Sequence, residues 1–124
     1  MNKEEYLKKL DSLNLDKNKY CIIASGVMLM LGLRDKCNDI DIRVTKDLFQ
    51  ELMNKYNLKK SDRYDNLYEL GDIDIKCSGF DINNIDFIEG YPVEKIELQL
   101  EWMIEQNREK DKEKIEIIKN YLKK

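Results

Sequence analysis

Two stretches of this 124-residue chain repeat one arrangement of acids. Asp39-Ile40-Asp41-Ile42 and Asp72-Ile73-Asp74-Ile75 each alternate a carboxylate with an isoleucine. In an extended strand, residues i and i+2 share a face. Asp39 and Asp41 therefore project together, as do Asp72 and Asp74, while the isoleucines turn into the core. If the two strands are neighbours, the carboxylates converge at about 5 Å between strands. Three or four carboxylates that close repel one another unless a cation sits among them. Hard divalent ions such as Mg²⁺ or Mn²⁺ take oxygen-rich sites of this kind, and two such ions about 4 Å apart can clamp an in-line phosphoryl displacement. Acid–apolar alternation is also how any half-exposed strand reads, so one such strand alone carries little.

A second feature lies upstream. Ile22-Ile23-Ala24-Ser25-Gly26 reads as a buried strand turning into a helix at small residues. Such a turn lets backbone N–H groups approach a phosphate. Gly26 precedes Asp39 by a short helix and loop, in which Arg34 and Lys36 either reach phosphate oxygens or are solvated loop charges.

The elements that would position these residues are legible from periodicity. Tyr6, Leu10 and Leu13 recur at helical spacing over residues 2–14. Residues 19–24 form a short β-favouring run, and Val27 to Leu31 a buried helix ending near Gly32. Residues 39–44 alternate as a strand, and Thr45 caps a helix with Leu48, Leu52 and Tyr56 on its inner face. Residues 66–70 and 72–77 read as strands around a turn or bulge at Gly71, so that either Asp72 or Asp74 is the acid that faces Asp39 and Asp41. Residues 85–88 add a short strand. Pro92 reads as a helix start, with Val93, Ile96, Leu100 and Met103 along one face, and Ile115, Ile118 and Leu122 line a last helix. The expected fold is α/β (α+β): a small mixed sheet of about four or five strands flanked by helices. It forms one domain over 1–124, with a core at about 19–90 and a C-terminal helical pair at about 92–123.

Composition narrows the chemistry. There is no histidine, which excludes His-based general base catalysis, Ser-His-Asp triads and His-ligated metals. Cys21, Cys37 and Cys77 are odd in number and lack metal-ligand spacing, so they read as reduced, mostly buried thiols of a cytoplasmic protein. No apolar stretch is long enough to span a membrane. The net charge of −3 gives no strong nucleic-acid signal. Residues 61–90 hold eight acids and two bases, and residues 107–124 four acids and seven bases. That asymmetry suits a cation-plus-phosphate site better than a nucleic-acid groove.

Taken together, the strand–Ser-Gly turn, the D-x-D strand and a third acid on a later strand resemble the nucleotidyltransferase superfamily, with its polymerase β-like fold. Gly32-Leu33-Arg34 followed by Asn38-Asp39-Ile40-Asp41-Ile42 is similar to small bacterial members related to abortive-infection toxins, and Arg108-Glu109-Lys110-Asp111 resembles an R-x-K-D element preceding a last helix. The resemblance touches residues 22–44, 72–77 and 93–118. The chain departs from the pattern at the turn, where Gly-Gly or Gly-Ser is usual and Ser25-Gly26, or Gly26-Val27 in the other register, stands here. The resemblance implies that Asp39, Asp41 and Asp74 hold Mg²⁺ or Mn²⁺, with Asp74 also accepting a proton. Ser25, Gly26 and Arg34 would contact the phosphates of an NTP, and a nucleoside monophosphate would pass to an unidentified hydroxyl acceptor. The alternative it leaves open is a catalytically degenerate module that binds a nucleotide, a partner protein or a second copy of itself, as in a toxin–antitoxin or phage-defence system.

Overall fold

The computed structural model describes residues 1–124. Helix α1 (Lys3–Asp11) opens with a capping box, in which the Asn2 side chain accepts from the Glu5 N–H and the Glu5 side chain from that of Asn2. Strand β1 (Tyr20–Ile22) leads into the short helix α2 (Ser25–Met30), and β2 (Ile40–Val44) follows. Helix α3 (Lys46–Lys55) is capped by Thr45, as its sequence predicts. Then come β3 (Lys59–Lys60), β4 (Leu67–Leu70), β5 (Ile73–Lys76), β6 (Ile85–Ile88), β7 (Tyr91–Glu94), α4 (Ile96–Gln106) and α5 (Lys112–Leu122).

The seven strands form one mixed sheet in the order β3-β4-β5-β2-β1-β7-β6. This corrects the expectation of four or five strands. The two extra strands were masked for identifiable reasons. Strand β3 is only Lys59-Lys60, both exposed, so it shows no alternation. Strand β7 contains Pro92, which suits the first turn of a helix but here lies buried in a strand; the C-terminal helical pair begins at Ile96 instead. Pairing of β7 with β1 is confined to Ile22↔Val93, so the missing N–H of Pro92 removes no bond on that side.

Alternation along the strands sorts the sheet into two unlike faces. Ile22, Ile40, Ile42, Ile73, Ile75 and Val93 turn to one face and join a single core cluster. Every helix contributes to that cluster: Tyr6 and Leu10 from α1, Val27 to Met30 from α2, Leu48 and Leu52 from α3, Ile96 and Met103 from α4, and Ile118 from α5. The other face carries a small apolar group of Cys21, Ile23 and Ile85, with Ala24 and Phe80 against it. The same face carries Leu67 beside Lys76 and Pro92 beside Phe87, together with the charged Asp41, Arg43, Glu69, Asp74, Lys76 and Glu94. No helix is long and apolar enough to cross a membrane.

Candidate functional site

The open face is where the acids meet. Strands β2 and β5 are parallel neighbours, and the register sets Asp41 directly beside Asp74. Each lies between two isoleucines that face the core, so the burial of Ile40, Ile42, Ile73 and Ile75 fixes the direction of both carboxylates. Burial, followed by the negative charge of Asp74, holds the Asp41 carboxyl well above the usual carboxylate range. Asp74 is raised too, chiefly by burial, with Asp39 and Glu69 adding to it. The two groups lie within hydrogen-bonding reach of each other, so they titrate as a pair rather than as two independent carboxyls.

Asp39 stands one residue ahead of β2 and is exposed; its charge reaches both members of the pair. Asp72 does not join them. Gly71, at φ +61°, opens the two-residue loop between β4 and β5, and Asp72 lies in that loop with its carboxylate 2.7 Å from Lys9 Nζ. Between the two candidates for a third acid, Asp74 is the one that meets Asp41. The sequence reading passed over Glu69, which lies across from Asp74 on β4 and extends the acid row to a third strand, with Arg63 3.8 Å away. The signal was available, since Glu69 falls within a segment read as a strand.

The fit to a cation is one of donor chemistry. Paired, part-buried carboxylates with raised proton affinity are the groups a hard divalent ion displaces protons from. As the side chains stand, no three acids close into a ready-made ligand cluster. Asp41 and Asp74 would supply the first donors, and Asp39 would have to turn inward.

The strand-to-helix turn lies against this row. The Ile23 N–H donates to the carbonyl of Asp41 at 3.0 Å, tying the start of the turn to the acid strand. Ala24 then takes φ 57°, ψ −136°, a strained conformation for a residue with a side chain. Ser25 is half-buried. Gly26 is buried, and its lack of a side chain is a packing requirement: an added Cβ would lie 2.3 Å from the Tyr6 hydroxyl and 2.5 Å from Ile22 Cγ2. Tyr6 is fully buried beneath the turn with its hydroxyl unpartnered.

Arg34 sits elsewhere. Its Nε donates to the Lys36 carbonyl at 2.8 Å, and it lines a cleft of about 260 Å³ with Met28, Leu33, Lys36 and Lys114 of α5. Neither Asp41 nor Asp74 borders that cleft. Arg108 is held by Asp111, whose fully buried carboxylate lies 2.7 Å from both Nε and Nη2, so the R-x-K-D element serves the α4–α5 connection. Tyr68 packs against Phe49 on the core side, and Trp102 lies under the Arg108 guanidinium. Burial pushes the Cys21 thiol up to about 12, so it remains a neutral thiol. All three cysteines are unpaired.

No protein-family profile and no curated protein matches the chain. Its structure is similar to a crystal structure of a provisionally assigned nucleotidyltransferase from Thermotoga maritima, with a TM-score of 0.64 and 19% identity, covering 99% of this chain and 96% of that one. At that identity the likeness is one of fold, and it runs nearly the full length of both chains.

Proposed function

We infer that this protein is a metal-dependent nucleotidyltransferase. One observation carries the reading. Asp41 and Asp74 are set side by side by a parallel register on the open face of the sheet, beside a strand-to-helix turn of small residues. The shared fold supports it. In this reading Asp39, Asp41 and Asp74 hold Mg²⁺ or Mn²⁺, which when bound neutralises charge on the triphosphate of an NTP. Ser25 and the backbone at Gly26 orient the phosphates, and Asp74 takes the proton of the acceptor hydroxyl. The acceptor oxygen bonds to the α-phosphorus as the α–β bridging bond breaks and pyrophosphate leaves. In-line attack of this kind needs positioning and charge neutralisation rather than a protein nucleophile, which accords with a chain that has no histidine.

The test is thermal: melting of the metal-free protein with each of the four NTPs and Mn²⁺ or Mg²⁺. Binding to the folded state alone stabilises by about 2.7 kcal/mol at a hundredfold excess over the dissociation constant. A rise with at least one NTP is expected, and Asp41→Asn should remove most of it. No rise with any NTP would overturn the reading. A second reading, a binding module that has lost catalysis, draws on the acids that do not close into a cluster. It predicts the same rise with no transfer of label from an NTP to RNA, cell-extract or small-molecule acceptors.

A further inference from the structure

The two acid strands share a feature one step further along. Asp41 is followed on the same face by Arg43 and Asp74 by Lys76, and the parallel register sets Arg43 beside Lys76. The open face therefore holds a four-cornered array, with two carboxylates on one row and two cations on the next. The rows are about 6.6 Å apart along the strands, and the paired residues about 4.8 Å apart across them.

Lys76 eases the charge on Asp41 and, with Arg43, that on Glu94, but neither cation is in contact with the acid pair. No ion pair joins Arg43 or Lys76 to Asp41 or Asp74, and Lys76 has no ion-pair partner at all. Arg43 is braced from both sides, by Ser78 just beyond β5 and by Glu94 of β7. Its Nη1 lies 3.1 Å from Ser78 Oγ and its Nη2 3.7 Å from Glu94, while Nε is buried without a partner. The cationic row also lies on the far side of the acids from the Ser25-Gly26 turn, because β1 runs antiparallel to β2 and leaves the sheet beside Asp41. Beside Arg43 in β1 is Cys21, part of the apolar patch with Ile23, Ile85 and Phe80.

The geometry points to an anion subsite for the acceptor: Arg43 and Lys76 receive the phosphate of a small phosphate ester and set its hydroxyl over Asp74. This rests on the nucleotidyltransfer reading above. Two adjacent cations suit a doubly charged phosphate with several oxygens. Two cations on a chain of net charge −3 are too few to track a nucleic-acid strand, which engages many phosphates. The donor nucleotide, held from the turn side, leaves this row free.

The test is a ¹⁵N NMR titration of the metal-free protein with inorganic phosphate and with glycerol 3-phosphate, repeated with Mn²⁺–ATP-saturated protein by calorimetry. Saturable shifts centred on Arg43, Lys76 and Ser78 are expected. Lys76→Gln should weaken both ligands about tenfold, an effect of about 1.4 kcal/mol, and Lys76→Arg should largely restore them. Since Lys76 makes no ion pair, its replacement should shift the melting temperature of the free protein only slightly. Shifts at Arg34, Lys36 and Lys114 instead, or equal affinity in Lys76→Gln, would overturn the subsite while leaving the nucleotidyltransfer reading intact. Displacement of phosphate by Mn²⁺–ATP would assign the row to the donor's triphosphate and also overturn it. A short single-stranded RNA binding far more tightly than either phosphate would replace a small acceptor by a strand. Phosphate binding without any binding of Mn²⁺–ATP would overturn both proposals together.

Discussion

The two faces of the sheet are built from the same strands and obey opposite rules. On the covered face, five helices close over isoleucines, and every position is fixed by volume. On the open face, Asp41, Asp74, Arg43 and Lys76 are held by the backbone they share with those isoleucines, and no ion pair joins the acid pair to the cations beside it. The covered face supplies rigidity, and the open face carries the electrostatic strain a ligand would relieve. The difference teaches that a site can be placed accurately without being stabilised itself.

The largest expected effect tests the covered side. Gly26→Ala would push a methyl group against the Tyr6 hydroxyl and Ile22, and overpacking of this kind costs on the order of 2 kcal/mol, read by chemical denaturation. Tyr6→Phe alone removes an unpartnered buried hydroxyl and should be neutral or stabilising. Combined with Gly26→Ala, it should recover part of the loss, because the contact with Ile22 remains. Additive effects in the double variant would show that the hydroxyl is not what excludes a side chain at position 26.

A smaller effect of opposite sign is expected on the open face. In metal-free protein, Asp41→Asn should raise the melting temperature by a few degrees, since it removes a part-buried charge opposed by Asp74. The pH dependence follows in sign. A carboxyl whose proton affinity is raised by folding keeps its proton longer in the folded state than in the unfolded one. Its penalty is absent below the unfolded value, near 3.9, and grows as pH rises through the raised folded value. The wild type should therefore lose stability over that interval more steeply than Asp41→Asn, as followed by melting at stepped pH. Parallel curves would mean that the pair is not strained.

The smallest effect separates two aspartates that look alike in sequence. Asp72→Asn breaks only the exposed pair with Lys9 and should leave Mn²⁺ affinity, measured by calorimetry, at the wild-type value. Asp74→Asn should abolish it. Equal losses would place Asp72 in the site.

How far the sequence could be read follows from the same division. Strict alternation exposed β2, β5 and the facing of Asp41 and Asp74, because burying isoleucine on one side leaves no other direction for the acids. The Thr45 cap was equally plain. Strand β3 has no apolar partner residues to betray it, and Pro92 fits two element types. Gly26 reads as a phosphate-contacting glycine in sequence, whereas its packing role depends on Tyr6, a residue from a different element. Arg43 and Lys76 were visible at the same spacing as the acids, but their adjacency depends on a register that no single strand encodes.

The parallel pairing of β2 with β5 has a consequence for how the protein comes into being. A hairpin cannot join parallel strands, so Asp41 and Asp74 meet only across a crossover over residues 42–73, which include α3, β3 and β4. Contacts of that separation form slowly, because closing so long a loop costs chain entropy before the contact repays it. During synthesis, Ile118 of α5, which completes the core beneath them, emerges later still. A newly made chain thus completes the core beneath its acids only after α5 has emerged, and affinity for a cation should appear only then.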